Sequence, residues 1–187
     1  MAAKAVFGLG NPGLPYALTR HNVGFEVIDL YRKVHRVTKK GRIEGSALVY
    51  STGELLLIKP MTYMNESGLA VRSVLDKHRI DPSNAMIVYD DLDLVLGRIR
   101  ILAAGGAGSH KGMQSVIRVL GTQDIPRLRI GIEIEARDES AHDFVLDHFT
   151  ADEWGKALPS LRSAVEAIDV FCGLGIDEAM TRFNRWE

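Results

Sequence analysis

Ala5-Val6-Phe7-Gly8-Leu9-Gly10-Asn11-Pro12-Gly13, followed by His21-Asn22-Val23-Gly24, decides how this chain folds. An apolar run that ends at a glycine-rich turn is the pattern of a buried central strand. Gly8 to Gly13 matches the dinucleotide pattern G-x-G-x-x-G literally, and it follows a strand as that motif requires. Two features argue against a cofactor there. Pro12 and Pro15 interrupt the segment where a helix N-terminus should cradle pyrophosphate. Asp29, at the distance of a ribose-binding acid, falls inside a helical pattern and not at the end of a second strand. The alternative is a turn that reverses the chain and leaves His21 near the exit of the strand. Ligands and chemistry gather at the carboxyl ends of strands in open α/β sheets. A histidine placed there is a candidate general base near neutral pH.

Outward from this stretch, Val23, Val27, Ile28, Leu30, Tyr31 and Val34 recur at helical spacing. Residues 34–45 carry Lys39, Lys40 and Arg42 with little periodicity, which predicts an exposed connection. Ala47 to Ser51 and Leu55 to Lys59 flank Thr52-Gly53-Glu54 as a hairpin, so antiparallel strands enter an otherwise α/β chain. The next helix is predicted over 65–78, with Leu69, Val71, Val74 and Leu75 facing the core. Met86 to Tyr89 reads as a short buried strand ending in Asp90, Asp91 and Asp93, and 98–102 as another strand. A second glycine-rich turn, Gly105-Gly106-Ala107-Gly108, leads into His110 and a helix through Val119. Residues 128–134 alternate as a strand. Thr150 with Glu153 is a capping-box signature for a long helix that Pro159 should kink or interrupt. A last helix begins at Gly175 and ends near Trp186. With no repeat or linker, the expected fold is α/β. It is a single three-layer domain over 1–187 with a mixed, mostly parallel twisted sheet flanked by helices.

The 187 residues, 46% of them hydrophobic, suffice for one substantial core. A formal net charge of −1 gives no global basic field, so any nucleic-acid contact must rest on a local stripe. The one cysteine, Cys172, forms no internal disulfide or multi-cysteine metal site and reads as a buried inert thiol. No apolar run approaches membrane length and the N-terminus has no signal-peptide pattern, so no membrane partner and a cytoplasmic location are expected.

Asp90, Asp91 and Asp93 suit a hard cation, a solvated edge, or a carboxylate that orients a histidine; Asp90, nearest the strand, is best placed for the last role. Asn11, Asn65, Tyr16 and Tyr63 are neutral hydrogen-bonding groups at the same rim, and Asn65 is also placed to cap a helix. Arg98 with Arg100 and Arg127 with Arg129 form i, i+2 pairs, each on one sheet face, where solvated surface is the default. Beside Lys111 they would make a phosphate-tracking stripe. His110, His142 and His148 lack ligand spacing and suit surface or capping roles.

Together these segments resemble the bacterial-type peptidyl-tRNA hydrolases over nearly the whole chain. The resemblance is carried by Gly8 to Gly13 through Gly24, by Lys59-Pro60-Met61-Thr62-Tyr63-Met64-Asn65-Glu66-Ser67-Gly68, and by Asp90-Asp91-Leu92-Asp93. Gly108-Ser109-His110-Lys111-Gly112-Met113 and Arg127-Leu128-Arg129-Ile130-Gly131-Ile132 complete it. It implies a monomer that cleaves the ester between a peptide and the 3′-terminal ribose of tRNA, with no metal and no other cofactor. It also implies His21 as the general base and Asp90 as the carboxylate that orients it. Asn11 would help distinguish blocked from free aminoacyl groups, and Asn65 would donate to the developing oxyanion. Tyr16, Tyr63 and Asn65 would contact substrate, and Arg129 the tRNA phosphate. The chain departs from the common pattern at Lys111, where asparagine is commoner, and at Leu102 and Ala104, where basic residues are commoner. Two rivals stand beside this reading: a non-catalytic RNA-binding relative, and a metal-dependent hydrolase built on the aspartate run.

Overall fold

Hydrophobic alternation along the strands, not any one motif, builds the two faces of the core. The computed structural model describes residues 4–134 and 140–184. On strand β1 (Lys4–Gly8), Val6 faces one helical layer while Ala5 and Phe7 face the other. Strands β4 (Leu55–Pro60) and β5 (Ala85–Val95) repeat the split: Leu57, Met86 and Val88 go to the first layer and Leu56, Ile58, Ile87 and Tyr89 to the second. Strands buried on both faces need helices on both. Helices α1 (Val23–Val34) and α5 (Ala151–Leu174) cover one side, and α2 (Ser67–His78) and α3 (Lys111–Leu120) the other.

The sheet has seven strands in the order β2-β3-β4-β1-β5-β7-β6, with β2 Arg42–Glu44, β3 Ala47–Thr52, β6 Ile99–Leu102 and β7 Arg127–Glu133. It is mixed, as expected. Parallel pairing is confined to the centre, β4-β1-β5-β7, and antiparallel pairs flank it. The hairpin β3–β4 and the capping box at Thr150 form as expected. After β1 the chain builds β2 to β4 on one side, then crosses to β5 on the other. The carboxyl end of β1 therefore lies beside Val88 in the middle of β5, at a switch point, where crevices open in such sheets.

Several local expectations are corrected. The connection 34–45 contains β2, because Glu44 is buried and paired with His78 of α2 at 2.7 Å. Leu69 is 55% exposed; the buried face of α2 is Ala70, Val71, Val74 and Leu75. Strand β5 does not stop at Tyr89 but runs through the aspartates to Val95. Pro159 does not interrupt α5, which is continuous over its 24 residues. Pro159 and Gly155, whose carbonyl loses its helical partner, are both on the exposed face, where the carbonyl is open to solvent. The last helix, α6, spans Ile176–Phe183; Trp186 lies outside the described residues. The turn at Gly8–Gly13 feeds α1, and Asp29 sits within that helix paired with Lys59, which removes the acid a dinucleotide site needs. Among the described residues no helix is long and apolar enough to cross a membrane.

One backbone contact fixes where α1 begins. A Cβ on Gly8 would lie 2.1 Å from the carbonyl oxygen of Gly24, and one on Gly24 would lie 2.5 Å from backbone atoms of Leu9 and Val88. The first turn of α1 therefore rests directly on β1 and β5, and the residues just before it are held over the strand ends. Gly24→Ala is expected to destabilise the fold by about 2 kcal/mol, within the range for overpacking against atoms that cannot yield. The midpoint of denaturant unfolding checks this; an unchanged midpoint would mean that α1 is free to shift.

Candidate active site

A cavity of about 1040 Å³ opens at the carboxyl ends of the central strands. Its wall includes Asn11, Tyr16, His21, Tyr63, Asn65, Asp90, Lys111 and Arg129, which brings together every residue that the sequence singled out as catalytic or substrate-binding. It also includes His110, for which only surface or capping roles were expected.

At the floor, Asp90 is 2% exposed and joins two histidines. His21 Nδ1 lies 2.8 Å from Asp90 Oδ1 and 3.0 Å from Oδ2, and His110 Nε2 lies 3.0 Å from Oδ1. The partners dictate the protons. A carboxylate can only accept, so the neutral His21 donates its Nδ1–H to Asp90 and keeps a lone pair on Nε2. That nitrogen has no hydrogen-bond partner among the described residues. His110 differs. Its Nδ1 accepts from the backbone N–H of Met113 at 3.1 Å, capping α3, so its proton must be on Nε2 and is donated to Asp90. With both nitrogens occupied, His110 has no lone pair left for a substrate.

Burial by itself would raise the Asp90 carboxyl, but electrostatic attraction and hydrogen bonds from His21 and His110 outweigh it and hold the carboxyl well below the usual carboxylate range. The two imidazole rings lie 4.9 Å apart, and Tyr89 packs against His110 at 4.7 Å. Side-chain atoms of His21, Asp90 and His110 able to ligate a metal lie within 4.8 Å of one another. As bonded, however, both nitrogens facing Asp90 carry protons, and a ligating imidazole needs a bare nitrogen. The arrangement is a proton network.

Asn11 is locked by its neighbours. Its Oδ1 accepts from Met64 N at 2.8 Å, while the Asn22 side chain grips its backbone through N···Oδ1 at 2.8 Å and Nδ2···O at 2.9 Å. The bond from Met64 N fixes the orientation of the Asn11 amide and leaves its Nδ2 as a donor for the cavity. Asn22 was not foreseen as a positioning residue; its only signal was adjacency to His21. Asn65 lies in a 3-10 turn (Met64–Glu66) ahead of α2, and neither that turn nor α2 has a side-chain cap. The capping role considered for Asn65 is not the one it plays. The turn is held against α3 because Gly68 N donates to Ser115 Oγ at 3.1 Å and leaves no room for a Cβ. Tyr16 and Tyr63 meet edge to face at 6.4 Å on the rim.

The basic residues sort themselves sharply. Arg127 is fully buried and binds the carbonyls of Gly106 (2.8 Å), Gln123 (2.9 Å) and Ile125 (3.2 Å). It therefore pins the glycine loop and is no part of a surface stripe. Arg129 is ion-paired with Asp91 at 2.5 Å. Among the described residues, Asp90, Asp91 and Asp93 do not come together as a trio able to share one cation, as the metal rival needs. Lys111, the first residue of α3, is exposed at the cavity. His142 is an exposed residue of the cavity wall beside Asp143, and His148 bridges Thr19 through its backbone. Cys172 lies on α5, where burial pushes its thiol up to about 11, an unreactive thiol at neutral pH.

A family described as peptidyl-tRNA hydrolase matches residues 5–187. The chain belongs to the peptidyl-tRNA hydrolase family. It is 44% identical over 184 residues to the peptidyl-tRNA hydrolase of Carboxydothermus hydrogenoformans, covering 96% of this chain and 97% of that protein. It is 42% identical over 190 residues to that of Aquifex aeolicus, covering 99% and 98%. A crystal structure of the peptidyl-tRNA hydrolase from Acinetobacter baumannii superposes with a TM-score of 0.90 at 28% identity, covering 99% of this chain and 96% of that one. Membership makes the chain a hydrolase, and the α/β fold expected from its sequence is the fold of the family.

Proposed function

We propose that the chain hydrolyses the ester linking a peptide to the 3′-terminal ribose of tRNA, with His21 as the general base that activates water. The observation that carries this reading is the division of labour at Asp90. His21 offers a free Nε2, whereas His110 has none to offer. An ester with a ribose leaving group is activated enough for direct attack by water. His21 Nε2 takes the proton of that water as its oxygen adds to the acyl carbon. Asp90 holds the tautomer and stabilises the imidazolium as it forms. The proton then passes to the departing ribose oxygen. Asn11 Nδ2 and the Asn65 amide supply donors to the substrate carbonyl and its oxyanion, contacts each worth about 3 kcal/mol where such donors have been removed. With its oxygen side fixed by Met64 N, Asn11 presents Nδ2 to donate to the carbonyl of a blocked aminoacyl group. Tyr16 and Tyr63 present aromatic surface to the substrate at the rim.

Among the cations around the cavity, Arg129 is tied to Asp91, and Lys111 is assigned the phosphate contact nearest the tRNA 3′ end. A lysine in the first turn of a helix gains nothing from the helix dipole, and an anionic ligand offsets that. Lys111→Glu should raise KM for a tRNA ester by about tenfold or more and leave kcat within about threefold. Lys111→Asn should flatten the salt dependence of KM. Equal KM for parent and Lys111→Glu would mean that the side chain only faces water.

The direct test compares purified protein on N-acetyl-aminoacyl-tRNA and on free aminoacyl-tRNA. Release of tRNA from the blocked ester and little from the free one is expected. No release from the blocked ester would leave the non-catalytic RNA-binding reading.

A further inference from the structure

Arg20, next in the chain to the proposed base, is 3% exposed, and it is the hub of three elements. Its guanidinium holds Glu153 of α5 by both oxygens, at 2.9 and 2.8 Å, and reaches the carbonyl of Phe144 at 3.3 Å. Phe144 belongs to α4 (Ala141–Leu146), a short helix that walls the cavity through Ala141, His142, Val145 and Leu146. The guanidinium also lies 4.1 Å from the centre of the Phe144 ring and 5.4 Å from that of Phe149. Asp147 is 3.8 Å away but 61% exposed, so the less exposed Glu153 carries the pairing. The backbone is tied at the same place: Arg20 N donates to Asp147 O at 3.0 Å, and Thr19 bridges His148. Just upstream, Leu18 sits at φ 61°, a left-handed conformation that a leucine holds only where its surroundings impose it.

His21 reaches Asp90 from a 3-10 turn, Arg20–Asn22, that has no side-chain cap of its own. An uncapped turn entered through a left-handed Leu18 needs an external anchor to hold an imidazole within hydrogen-bond range of a carboxylate on another element. We infer that Arg20 is a positioning residue for His21. Its Nη2 on both Glu153 oxygens and its Nη1 on the Phe144 carbonyl fix the turn against α5 and α4, so that the His21 Nδ1–H stays on Asp90. This rests on His21 being the base. Glu153 is well suited to the task because its Oε2 also accepts from Thr150 N at 2.7 Å in the capping box, which makes the anchor part of the helix start.

Glu153→Gln tests this with little disturbance to α5, because glutamine also serves in a capping box. It removes the charge and the two-oxygen grip. The double variant Arg20→Met/Glu153→Gln removes both charges, so no unpaired buried charge is left to unfold the protein. Both are expected to lower kcat by about 10- to 100-fold, the scale of a misplaced catalytic group, with KM moving by less than about threefold. The far-downfield proton resonance of the His21 Nδ1–H, read without substrate, should broaden in both through faster exchange. Asp152→Asn, an exposed substitution in the same first turn, should change none of these. If the double variant recovers stability and turnover together, Arg20 only holds the fold and the inference fails. Unchanged kcat and resonance in Glu153→Gln would also overturn it, as would a loss confined to KM. Absence of turnover in the parent protein would count against the hydrolase reading alone, because the resonance still judges the anchor.

Discussion

His21→Ala should lower turnover of a blocked aminoacyl-tRNA by about 10²- to 10⁴-fold, the usual worth of a positioned general base, with KM little changed. His21 is buried at the cavity floor, but its contacts are polar. Asp90 keeps its bond from His110 Nε2 in the variant, so the carboxylate is not orphaned and the fold should survive. Single-turnover kinetics with matched circular dichroism would separate chemistry from unfolding. A folded variant that retains half its turnover would remove His21 from the mechanism. His110→Ala makes a different loss, because it uncaps α3 as well as freeing Asp90.

Asp90→Asn should lower turnover by about 10²- to 10⁴-fold, the upper end being the cost of the equivalent exchange in a serine-protease triad. The reason is geometric. Asp90 accepts N–H groups from two histidines, through both oxygens toward His21 and one toward His110. An asparagine has one accepting oxygen. If it serves His110, its NH₂ faces His21 Nδ1 and drives the His21 proton to Nε2, where a base needs its lone pair. The same variant should change stability at acid pH. The native carboxyl of Asp90 titrates below its unfolded value, so its stabilising effect is full above about pH 4 and is lost as pH falls toward the native value. Asp90→Asn should therefore flatten the acid limb of the stability curve. An unaltered acid limb would mean that Asp90 is not held as an anion by the two imidazoles.

What could be read in the sequence followed local rules. Val6 and Phe7 before the glycines, the hairpin around Gly53 and the Thr150–Glu153 box depend on neighbours in the chain, and all appear where the pattern places them. Local rules misled where water or burial decided the outcome. Leu69 fits a helical stripe but lies beside the buried face, and Pro159 is tolerated because its side of α5 is wet. What could not be read was tertiary coincidence. Arg127 resembled half of a surface pair, yet the glycine loop gives it the carbonyl of Gly106 and the segment before β7 gives it those of Gln123 and Ile125. His110 looked like a capping residue and is one, but the fold also brings the same ring to Asp90 in the middle of β5. Arg20 gave no signal, since its partners lie more than a hundred residues away on α4 and α5.

Nitrogen-15 chemical shifts of the two imidazoles at neutral pH test the central claim most directly, because they report which ring nitrogen carries the proton. The structure predicts opposite tautomers: His21 protonated on Nδ1 with a free Nε2, and His110 protonated on Nε2 with Nδ1 accepting from Met113. A neutral His21 with its proton on Nε2 would leave the water without a base and would contradict the account.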